Sequence, residues 1–189
     1  MNTTVAFLAQ TLAIFMGFFT RVVFTRTLSD GYVGINGLFT DILNILSLSE
    51  LGVGTAITYA LYAPIARRDI KKQQILMRMF RNFYRITAGF VLLAGLCLIP
   101  FLDILMKDRP DVNHLIIIYL LYLLNSVVSY LLIYKKTLVD AHQMNYITVM
   151  YHNGFLVLQD ILQMMVLFLT RNFILFLVIA VVCTIIGNI

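Results

Sequence analysis

Charge is scarce in this sequence. Asp, Glu, Lys and Arg make up 12% of its 189 residues, apolar residues make up 61%, and the mean hydropathy is +0.91. That balance excludes an ordinary soluble domain. Cysteine is also scarce. Cys97 and Cys183 both fall within apolar runs, which argues against a disulfide framework. Proline occurs three times: Pro64 follows one apolar run, Pro100 closes another, and Pro110 lies in the connection after it. Catalytic chemistry is missing as well. There is no phosphate-binding P-loop. His114, His142 and Asn145 have no metal-ligand spacing, and no Ser–His–Asp arrangement can be read from their order. The sequence therefore points away from an enzyme, and it offers neither a catalytic residue nor a metal site.

Long apolar segments dominate what remains. Stretches of about twenty residues recur, the length a helix needs to cross a hydrocarbon core roughly 30 Å thick. They are continuously apolar, which excludes the alternating pattern of a membrane β-barrel. The sequence predicts six spans, at 5–28, 34–63, 83–102, 113–134, 147–169 and 173–187. The first is too long for a signal-peptide core and has no small-residue cleavage site after it, so it reads as an uncleaved span. Segment 64–85 carries Arg67, Arg68, Lys71, Lys72, Arg78, Arg81 and Arg85 against Asp69 alone, and Lys135 and Lys136 follow the fourth span. On the other side Asp103, Asp108 and Asp111 outnumber Lys107 and Arg109. The bias of basic residues toward the cytoplasm then places both termini inside. It also assigns the net charge of +5 to membrane topology and not to nucleic acid. Within 67–85, Ile70, Ile75, Met77, Phe80 and Tyr84 offer a second reading, the apolar side of a helix lying on anionic lipid.

Among the ionisable residues within the predicted spans are Arg21, Arg26, Asp41, Glu50 and Asp160. Each costs about 2.5–3.5 kcal/mol at membrane depth on insertion scales, so such residues tend to have a partner, a wet cavity or a function. Arg26 is near enough to its span end to snorkel. Arg21 and Asp41 are equally far from the turn near Ser29–Gly31, which predicts an ion pair between adjacent antiparallel helices. Asp41, Asn44, Ser47 and Glu50 recur every three residues and form a slanting polar stripe. Gly52 and Gly54 beside it are natural hinge positions. Asp160 lies mid-span, flanked by Gln159 and Gln163. Gly31, Gly34 and Gly37 read as close packing of the first two spans, with a phosphate cradle as the weaker reading. Tyr119, Tyr122, Tyr130 and Tyr134, with Asn125 and Ser129, read as packing and interface anchors, with sugar contact as the alternative.

Two stretches carry a resemblance. "GYVGINGLFTDILNILSLSELGVGTAITYALYAPIARRD" (31–69) and "YLLYLLNSVVSYLLIYKKTLVDAHQMNY" (119–146) resemble the bacterial polysaccharide flippases of the multidrug/oligosaccharidyl-lipid/polysaccharide exporter superfamily. Ser49 departs from the alanine that often precedes the glutamate there. The resemblance implies an all-α integral membrane protein built as a six-helix bundle, with residues 1–189 forming the N-terminal transmembrane lobe of a two-lobe transporter and the second lobe absent. It also implies movement of an undecaprenyl-diphosphate-linked oligosaccharide from the inner to the outer leaflet of the bacterial plasma membrane. Arg21, Arg26 and Glu50 fall in the segments that line the family's cavity, where guanidinium groups suit a diphosphate. The expected partners are the lipid-linked sugar, membrane lipid, a C-terminal lobe or second copy of the chain, and glycan-synthesis enzymes. No cofactor is expected beyond proton or monovalent-cation coupling. Two rivals stay open: an exporter of drugs or small solutes from the same superfamily, and a non-transporting scaffold for glycan-synthesis enzymes.

Overall fold

The computed structural model describes residues 2–47, 53–102, 106, 112, 114–142 and 144–188. These residues are helical almost throughout, with no strand among them. Two long helices open the chain, α1 (Asn2–Thr27) and α2 (Asp30–Ser47). α3 (Val53–Ala66) and α4 (Ile70–Leu98) follow, and α4 runs into a 3₁₀ turn at Ile99–Phe101. The last four are α5 (Leu115–Leu132), the short α6 (Tyr134–Ala141), α7 (Asn145–Thr170) and α8 (Phe173–Gly187).

Four segments are long and apolar enough to cross a membrane: Phe7–Thr27, Ile70–Phe101, Leu115–Leu132 and Tyr146–Thr170. They correspond to the first, third, fourth and fifth predicted spans. The sixth is apolar but has only 15 residues, and within the predicted 34–63 segment the described residues belong to α2 and α3. α2 ends at Ser47 and α3 begins at Val53, while Gly52 lies outside the described residues.

Local chemistry sets the ends. The α3–α4 corner is closed by Pro64, which lies inside the last turn of α3 and not after it. Its carbonyl accepts from the Asp69 amide at 2.9 Å and from Gln73 Nε2 at 3.2 Å. Arg68 takes a left-handed φ of 53° at this corner, and the Asp69 carboxylate caps α4 by accepting from the Lys72 amide at 3.0 Å. Pro100 ends α4 as expected. Asn172 caps α8 through Oδ1, which accepts from the amides of Ile174 and Leu175.

The basic segment does not form a separate helix lying on lipid. It is the first part of α4, whose 29 residues extend about 44 Å and so exceed the hydrocarbon thickness. Its apolar residues also divide between two environments. Phe80 and Tyr84 are buried in the bundle, whereas Ile70 and Ile75 are exposed.

α5 is the centre of the bundle and packs against α4, α8 and α2. Ile118, Tyr119 and Leu123 on α5 are almost wholly enclosed, as are Phe39 of α2 and Val91 of α4. The Tyr119 hydroxyl donates to the Gly95 carbonyl at 2.8 Å and ties α5 to α4. Tyr119→Phe is expected to destabilise the bundle by about 1 kcal/mol, read as a lower unfolding midpoint in detergent.

α1 is peripheral and lies mainly on α7. Ala13, Gly17 and Thr20 recur along one side of α1, small residues that permit close approach in lipid, and Phe24 beyond them packs on Phe173 and Phe176 of α8. The outer face of α1 shows Leu12, Phe15 and Phe19.

Candidate functional site on the first two helices

α2 has two unlike faces. Ile35, Phe39 and Ile42 are buried at helical spacing and meet the core. Nearly opposite them, Gly34, Gly37, Asp41 and Asn44 recur at spacings of three, four and three. Gly34, Asp41 and Asn44 are exposed, and a Cβ added at Gly34 or Gly37 would meet nothing within 4 Å. These two glycines are therefore not the close packing of the first two spans that the sequence suggested. The exposed polar face is also less slanted than the expected stripe, because it runs from Gly34 to Asn44. The Ser47 side chain and Glu50 lie outside the described residues.

The remaining predicted site residues divide. Arg21 is exposed on α1, with its guanidinium carbon 5.7 Å from the centre of the Phe24 ring. Arg26 is exposed in the last turn of the same helix, where a cation favours the helix dipole. The expected Arg21–Asp41 ion pair does not form: both residues are exposed, and among the described residues neither has an ion-pair partner. The reason is the packing of the helices. α1 packs mainly on α7 and has little contact with α2, so equal distance from the turn does not bring the side chains together.

Asp160 is not on this surface. It is half-buried between α7 and α1, and its Oδ2 would lie 3.8 Å from a Cβ added at Gly17. The Thr20 hydroxyl is buried beside it and is the side-chain neighbour that bears on the Asp160 carboxylate. The Thr20 hydroxyl has no hydrogen-bond partner among the described residues. Gln163, one turn on, is buried and donates from Nε2 to the Phe176 carbonyl at 3.1 Å, tying α7 to α8. This polar group on α7 joins helices and does not extend the α2 surface.

Asn36 and Tyr122 form a polar contact that the sequence reading did not single out as a site. The Tyr122 hydroxyl donates to Asn36 Oδ1 across α5 and α2, and the Arg21 charge is near enough to bear on that hydroxyl. The signal was Asn36, a lone amide in the glycine-rich stretch before Phe39. Tyr119 and Tyr130 are buried, which removes them from sugar contact, and Ser129 donates to the Asn125 carbonyl within its own helix. Gly54 is in the first turn of α3, where a Cβ would lie 3.4 Å from the Tyr84 hydroxyl.

The surface so assembled is small and polar and lies on α2, while the Arg21 guanidinium on α1 lies beside the Phe24 ring. No family model, curated protein or solved structure matches the chain.

Proposed function

We propose that the chain is the six-span N-terminal lobe of a flippase for undecaprenyl-diphosphate-linked oligosaccharide or polysaccharide precursor in the bacterial plasma membrane, with both termini cytoplasmic. The observation that carries this reading is the uncovered face of α2. Much of the exposed surface on the other long helices consists of large apolar side chains, among them Phe15, Phe19, Ile86 and Phe168. Gly34, Gly37 and Asp41 would gain little from lipid contact, and an exposed carboxylate there would cost about 2.5–3.5 kcal/mol on insertion scales. Such a face suits a water-filled passage closed on its far side by a second lobe or a second copy of the chain. Arg21 supplies a planar, permanently charged group for the diphosphate. Asp41, Asn44 and Glu50 balance that charge, and Gly52 and Gly54 permit bending.

Two kinds of variant test the proposal in cells whose surface polysaccharide depends on this chain. Arg21→Ala and Glu50→Gln are expected to reduce export at least about tenfold, the loss that follows from removing a charged hydrogen-bonding group from a binding site. Gly37→Leu is expected to leave stability unchanged or slightly raised, because the position is open and leucine is the better helix former. The same variant is expected to obstruct export by filling the passage. Normal surface polysaccharide in all three variants at wild-type abundance would overturn the assignment.

A further inference from the structure

The basic end of α4 contains a cavity that the transport reading does not use. Gln74, Met77, Arg78 and Arg81 occupy one face of α4, and Tyr134 at the start of α6 closes the other side. The open space between them has a volume of about 390 Å³. Two guanidinium groups, an amide and a phenol line it, and among the described residues the lining contains no carboxylate. Arg81 is half-buried, and its Nε is enclosed without a hydrogen-bond partner. An enclosed donor on a charged group is costly unless something accepts from it. Lys71 and Lys72, on the same helix, are exposed.

The position of the cavity suggests what the acceptor is. Arg81 precedes the end of α4 at Leu98 by about 26 Å, close to the hydrocarbon thickness of roughly 30 Å. Arg81 therefore sits at headgroup level, with Arg78 one turn nearer the water. Paired guanidinium groups present forked donors matched to phosphate oxygens, and phenol and amide groups add neutral donors. Basic pockets between helices at this level suit phospholipid headgroups.

We propose that the Arg78–Arg81–Tyr134 cavity binds a phosphate oxyanion at the membrane surface, of the class carried by an anionic phospholipid headgroup. The site is separate from the α2 face and does not depend on what the protein transports. Its role is to hold α4 and α6 together through a bound lipid at the bilayer boundary.

The test is lipid retention by the purified chain in detergent, read by native mass spectrometry after incubation with phosphatidylglycerol or phosphatidylcholine. The wild-type chain is expected to retain phosphatidylglycerol preferentially. Arg78→Gln combined with Arg81→Gln is expected to lower that retention at least about tenfold, as the loss of charged hydrogen bonds implies. Lys71→Gln combined with Lys72→Gln removes the same charge from the same helix outside the cavity and is expected to change retention by less than about twofold. Arg78→Lys with Arg81→Lys preserves charge and helicity, yet is expected to weaken retention because the fork is lost. A parallel arm adds inorganic phosphate: displacement of the lipid assigns the site to phosphate in general, and no displacement assigns it to the intact headgroup. Equal loss in the arginine and lysine-to-glutamine pairs, or wild-type retention in both arginine variants, would overturn the proposal.

Discussion

Gly95→Leu is expected to destabilise the bundle by about 3 kcal/mol, the upper range for overpacking a well-filled core. Gly95 is buried on α4 where α5 crosses it. An added Cβ would lie 2.4 Å from Leu123 Cδ1 and 3.0 Å from Cδ2. A flexible side chain normally yields to such an intrusion, but Leu123 is only 1% exposed and has nowhere to turn. Pushing the helices apart would also stretch the bond from the Tyr119 hydroxyl to the Gly95 carbonyl. Gly89→Leu is the internal comparison, because a Cβ there meets nothing within 4 Å on the same helix. That variant is expected to be neutral or to gain up to about 1 kcal/mol from helix propensity. Unfolding of both variants in mixed micelles is the measurement. Equal midpoints would show that α4 and α5 part at this position without cost. Adding Leu123→Ala to Gly95→Leu should recover part of the loss, since the two residues share one space.

Phe39→Ala is expected to cost about 3 kcal/mol, near the lower end for deleting a buried phenylalanine. In lipid the transfer gain of apolar burial is small, so the cost comes from lost packing and the cavity left behind. Phe39 is fully enclosed, and its ring meets Tyr119 at 5.0 Å and Tyr122 at 5.8 Å, both edge to face. These contacts attach α2 to α5 and thereby hold the opposite, polar face of α2 in the open. Export is therefore expected to fall together with stability, whereas Ile45→Ala, at a position 67% exposed, should shift the unfolding midpoint by less than about 0.5 kcal/mol. A stable Phe39→Ala protein with normal export would separate the core contact from the candidate site.

Much of the helix pattern was legible in the sequence, because a long continuous apolar run has few other ways to satisfy its backbone in lipid. The first, third, fourth and fifth predicted spans correspond to helices of spanning length. The second was harder to read. The predicted 34–63 segment contains α2 up to Ser47 and α3 from Val53, and the bend expected at Gly52–Gly54 falls at a stretch of which residues 48–52 lie outside the described residues. Arg21 and Asp41 show the other limit. Their spacing from the turn was correct, but an ion pair also depends on which neighbour α1 packs against, and that is set by the small side chains at Ala13, Gly17 and Thr20 meeting α7. Similarly, Gly34 and Gly37 read as packing glycines in sequence, although no neighbour approaches them.

The sequence by itself determined an all-helical chain with membrane-length apolar helices and placed its scarce charges on particular helices, since hydrocarbon penalises unpaired backbone and ionic groups wherever the segment packs. Only the tertiary structure decided which of those charges share a surface. Arg21 and Asp41 stand in the open and unpaired, Asp160 faces α1, and Arg78 and Arg81 meet Tyr134 around a cavity. Side-chain position along a helix follows from local geometry, but the neighbour across the gap follows from how helix faces of different size fit together, and that fit is a property of the whole bundle.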